Sequence, residues 1–85
     1  MTKEQIITIL IDLHRKYSKE RKSNENSQMC TFWSTTNPPD VLEGTRALTA
    51  IEKKLDYTFD EMEAVDMYDR SIEDAAEYIL NLKNS

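Results

Sequence analysis

The stretch TNPPDVLEGTRALTAIEKKL, Thr36 to Leu55, decides how this chain is read. Two prolines open it, and Val41, Gly44, Leu48, Ile51 and Leu55 follow in steps of three and four. That spacing draws one seam along a helix. A helix is therefore expected over 38–55, capped by Thr36 or Asn37. Pro38 falls in its first turn, where a missing N–H costs nothing. Gly44 lies on the seam, and a glycine inside a helix costs about 1 kcal/mol against alanine. Close approach of another backbone is the expected compensation. Lys53 and Lys54 suit the negative pole of the helix dipole.

On the N-terminal side, Thr2 and Gln5 form a T-x-x-Q capping box. Ile6, Leu10, Leu13 and Tyr17 mark the centre of an apolar face over 2–22. Ile7, Ile9, Ile11 and His14 widen it enough for two neighbours, or for one neighbour and a second subunit. The pattern stops after Tyr17, and SKERKSNENSQ leads into a loop over 23–37. Within that loop MCTFW, Met29 to Trp33, packs apolar residues closely with no helical period. Loops this long are often functional.

On the C-terminal side, Thr58 and Glu61 read as a capping box, with Tyr57 and Met62 as its hydrophobic staple. Phe59, Met62, Val65 and Tyr68 recur at every third residue and indicate a short helix over 59–69. Ser71 and Asp74 open a last helix over 71–83, burying Ile72, Ala75, Ala76, Ile79 and Leu82. A break at Arg70–Ser71 is preferred to one unbroken helix from Phe59 to Leu82. The expected fold class is thus all-α, a small bundle of four helices in one domain.

The totals narrow the function classes. At 85 residues a large share of the surface stays wet, so pairing with a copy or a partner is expected, a dimer first. One glycine argues against a turn-rich β fold, and one cysteine means no internal disulfide. The Ile/Leu cluster from Ile6 to Leu13 is too short to span a bilayer, and no cleavage site follows it. A cytoplasmic protein with no membrane partner is the expectation. The net charge of -5 is uneven: residues 1–39 hold six Lys/Arg against four Asp/Glu, and residues 40–85 hold five against twelve. The acidic half would repel a phosphate backbone.

Catalysis is hard to assemble. His14 and Cys30 stand alone in type and on different elements, and no spacing brings them within hydrogen-bond reach. A packed or capping imidazole and a small buried thiol are the expected roles. The carboxylates after Leu55 give no calcium loop, because frames from Asp56, Asp66 or Asp69 lack the central glycine and the closing glutamate. No metal, cofactor or enzymatic role is expected.

Two surfaces carry the functional expectations. Met29, Phe32 and Trp33 serve either as a plug on the core or as apolar anchors for a partner protein, with Asp66, Asp69, Glu73 and Glu77 as a charged rim. Alternatively, Arg15, Lys16, Lys19, Arg21 and Lys22 grip a nucleotide or nucleic acid, with Phe32 or Trp33 available to stack a base. In composition the chain resembles, in a general way, the small acidic helical accessory proteins of phages and mobile elements, many of which block a host protein. The leading expectation is a non-enzymatic protein-binding module, a regulator or stoichiometric inhibitor, with the nucleotide reading second.

Overall fold

A computed structural model describes residues 1–18, 22–33 and 37–84. Four helices pack as a small all-α bundle: α1 Lys3–Ser18, α2 Arg46–Leu55, α3 Glu61–Tyr68 and α4 Ile72–Asn84, with a 3-10 turn at Met29–Phe32. α1 lies at the centre, touching α4, α2 and the 3-10 turn. No described helix is long and apolar enough to cross a membrane.

α1 starts as its capping box dictates. The Thr2 N–H donates to Gln5 Oε1 at 2.8 Å, and the Gln5 N–H donates to Thr2 Oγ1 at 3.2 Å. Ile6, Leu10, Leu13 and His14 are buried, and Ile7, Ile9, Ile11 and Tyr17 pack half-buried beside them. The broad face has its two helical neighbours within one chain. α1 is described to Ser18, residues 19–21 lie outside the described residues, and Lys22, its expected end, stands in a turn.

α2 begins eight residues later than the expected Pro38. Gly44 has φ +84, a left-handed conformation that no right-handed helix accommodates. Thr45 is the true cap, and its hydroxyl is fully used: it accepts from Leu48 N–H and from the Trp33 indole N–H, and donates to Leu42 O. Val41 and Gly44 are consequently exposed, while Leu48, Ile51 and Leu55 are buried as the seam requires. Glycine here is a hinge before the helix and not a close contact, since a Cβ would meet nothing within 4 Å. Of the two expected caps, Thr36 lies outside the described residues, and Asn37 sits in an exposed bend.

α3 is also shifted. Its capping box is Asp60 with Glu63, not Thr58 with Glu61, and the expected staple residue Met62 is 80% exposed. The inward residues are Ala64 and Met67, with Phe59 buried just ahead of the helix. A strict three-residue repeat falls back about 60° per step on an α-helix. Phe59, Met62, Val65 and Tyr68 therefore cannot share one face.

The break between α3 and α4 is present, and α4 buries Ile72, Ala75, Ala76 and Ile79. Asp74 N–H donates to Ser71 Oγ at 3.2 Å. The loop before the 3-10 turn is stitched to this junction. Met29 N–H donates to Arg70 O, Ile72 N–H to Ser27 O and Glu73 N–H to Glu25 O, at 2.8 to 2.9 Å. Two amides at the start of α4 thus find partners in the loop, which is what a buried helix end requires.

Candidate protein-docking face

The expected apolar anchors are core residues. Met29, Phe32 and Trp33 are buried, Trp33 to 6% exposure, and the rings of His14, Phe32, Trp33 and Tyr68 form a chain with centroids 5.1, 5.9 and 5.5 Å apart. Burial was decided by the area these side chains offer to a small core, together with the Thr45 acceptor for the indole N–H. They cannot meet a partner without leaving that core.

His14 holds the same region from the other side. It is fully buried, its Nδ1 is 2.6 Å from Ser23 Oγ, and its Nε2 is hydrogen-bonded to Thr31 Oγ1. Thr31 donates its own hydroxyl hydrogen to Gln28 O at 2.7 Å, so it accepts from Nε2–H. This network pins α1 to the 22–33 connection. Ser23 is buried as well and cannot present a nucleophile to a substrate. Cys30 is half-buried, and among the described residues no group of three His, Cys, Asp or Glu could hold a metal ion.

Of the large apolar residues exposed at the surface, Met1 precedes α1, and Val41, Met62 and Val65 are on the proline segment and α3. Met62 (80% exposed), Val65 (46%), Asp66 and Asp69 follow at intervals of three, one and three, a single exposed stripe. Between Val65 and the segment 38–42 lies a cleft of about 280 Å³, walled by Pro38, Pro39, Leu42 and Tyr68. Val41, 56% exposed, sits on that segment. Glu61 fastens it: Oε1 accepts from Leu42 N–H at 2.8 Å and Oε2 from Glu43 N–H at 2.6 Å. Both carboxylate oxygens hold backbone amides, so the segment is tied to the first turn of α3.

The expected charged rim divides. Asp66 and Asp69 are on the α3 stripe. Asp66 accepts from the Tyr78 hydroxyl at 3.2 Å, and Arg70 stacks over the Tyr78 ring at 4.7 Å. Desolvation first, and then the Asp66 carboxylate, raises the Tyr78 phenol above its ordinary value. Glu73 and Glu77 instead turn toward α1, where Lys3 reaches them at 3.6 and 3.8 Å.

The basic set divides too. Arg15 reaches back to Ser23 O at 3.4 Å, Lys16 stands 5.7 Å above the Tyr17 ring, and Lys22 is exposed in the loop. Lys19 and Arg21 lie outside the described residues. The sequence offered one signal for the surface stripe, the inconsistency of a three-residue repeat with a single helical face. It offered none for the fold-back of the proline segment. The chain matches no protein-family model, no curated protein and no solved structure.

Proposed function

We propose that this protein is a non-enzymatic binding module, a regulator or stoichiometric inhibitor, that docks a basic protein on α3 and the proline segment. The reading rests on one observation: Met62 and Val65 stand exposed in line with Asp66 and Asp69. Apolar residues ringed by charge are the usual make-up of a protein-binding patch. Met62 and Val65 are the apolar anchors in place of the buried Met29, Phe32 and Trp33, with Val41 beside them. Asp40, Asp66 and Asp69 supply the rim, which favours a cationic partner and speeds its approach. A second copy is a poor occupant, because two-fold pairing of this face would set like charges together.

The test compares the wild type with Met62→Lys/Val65→Lys as bait in cells of its source, by cross-linking and mass spectrometry. A basic protein captured by the wild type and lost from the variant, with unchanged far-UV circular dichroism, is the expected result. Identical capture by both baits overturns the docking face. Light scattering that shows a dimer dissolved by the same double variant would overturn the choice of a foreign partner.

A further inference from the structure

A second concave site lies between α1 and α2, with the opposite charge. The cleft is open to solvent and holds about 410 Å³. α1 contributes Leu13, Lys16 and Tyr17 at intervals of three and one. α2 contributes Arg46, Thr49, Ala50, Lys53 and Lys54, one side of the helix over about 12 Å. Among the described residues four cations line it and no carboxylate does, in a chain whose net charge is -5.

Among the described residues none of these cations has an acidic partner, and the ion pairs are those of Lys3 with Glu73 and Glu77. The usual structural duty of Lys53 and Lys54, neutralising the end of α2, is partly met from elsewhere. Lys83 Nζ donates to Leu55 O at 2.8 Å. The cations instead stand at both ends of the cleft, Arg46 at one and Lys53 and Lys54 at the other. Leu13, Tyr17 and Ala50 provide less polar wall between them. Unneutralised positive charges held in a concave site attract an anion more strongly than the same charges scattered over a surface.

We infer that this cleft binds a small polyphosphate-bearing ligand, of the nucleoside di- or triphosphate or inorganic polyphosphate class. Arg46 grips phosphate oxygens through its planar fork, and Lys16, Lys53 and Lys54 act as point charges. The volume is that of a small-molecule site. A longer polyanion is disfavoured by what adjoins it: the next concavity along α2 is lined by Glu52 and Asp56. A nucleic-acid strand leaving the cleft there would meet carboxylates. Of the described cations first expected to hold a phosphate, Arg15, Lys16 and Lys22, Lys16 lines this cleft, and α2 supplies Arg46, Lys53 and Lys54.

Isothermal titration with ATP, tripolyphosphate and adenosine tests the assignment on the intact chain. Saturable binding of ATP or tripolyphosphate is expected, weakening as salt rises, with adenosine inert. ATP above tripolyphosphate identifies a nucleotide, and the reverse order identifies inorganic polyphosphate. Arg46→Glu/Lys53→Glu should weaken binding at least tenfold, while Lys22→Glu, outside the cleft, changes it less than twofold. All four cleft cations are exposed, and an unchanged circular dichroism spectrum confirms that the double variant is folded. No binding at millimolar ligand, equal losses in both variants, or a glutamate-rich peptide binding as tightly as ATP would each overturn the inference.

Discussion

The connections at 22–33 and 37–45 make an instructive pair. The first looks polar at its start, SNENSQ, yet it runs into the interior and delivers Met29, Phe32 and Trp33 to the core. The second carries an apolar helical seam, yet it stays outside with Val41 exposed. Their backbone bonding explains the contrast. The first is tied at many points, by three amide–carbonyl bonds to the α3–α4 junction and by the His14 network. The second is held mainly by the Glu61 carboxylate, the Thr45 hydroxyl and the buried Leu42. A loop becomes interior when it brings large apolar side chains and finds partners for its polar backbone; a helical pattern alone does not take a segment inside.

The contrast breaks first at Trp33. Trp33→Ala should cost about 3 to 5 kcal/mol of unfolding free energy, a large part of what a domain this size possesses. Val41→Ala should stay within about 0.5 kcal/mol. Urea titration followed by far-UV circular dichroism measures both, and equal costs would erase the distinction. His14→Ala, which removes the pin on the same connection, should cost about 1 to 3 kcal/mol through lost buried hydrogen bonds. Amide hydrogen exchange should then quicken in residues 22–33 before it does in α4.

The outer connection should respond more weakly. Gly44→Ala forces a Cβ into φ +84 and should lower stability by about 1 kcal/mol, read as a fall in thermal midpoint. An unchanged or higher midpoint would mean that α2 extends back toward Pro38. The smallest effect belongs to Glu61→Gln, whose amide oxygen can accept from one of the Leu42 and Glu43 N–H groups while its NH2 cannot accept from the other, at a partly exposed site where water can replace it. About 0.5 to 1 kcal/mol is expected, with backbone amide shifts in NMR spectra concentrated in residues 38–44.

Legibility in the sequence followed the range of the forces involved. The Thr2–Gln5 box, the α1 face, the break before Ile72 and the α4 face were all readable, because each depends on residues three or four apart. The start of α2 was misread because two cap-and-helix solutions compete, Asn37–Pro38 and Thr45–Arg46. The choice turns on the Thr45 hydroxyl meeting an indole twelve residues earlier. The surface stripe is half legible: Asp66 and Asp69 are expected at a charged rim, whereas Met62 enters only as a staple residue and Val65 only as part of a three-residue repeat. In the cleft, Lys16 was found and the α2 cations were not, since only packing sets α2 beside α1.

The sequence by itself determined that this chain is helical, where α1 and α4 turn their apolar sides, and that its charge is lopsided. Those properties are local, set by side-chain spacing and counting. Only the tertiary structure decided that Trp33 goes in while Met62 and Val65 stay out, and that cations from two helices gather in one cleft. Room in a core this small is limited, and the side chains that fill it are chosen by competition across the whole fold, which no local pattern records.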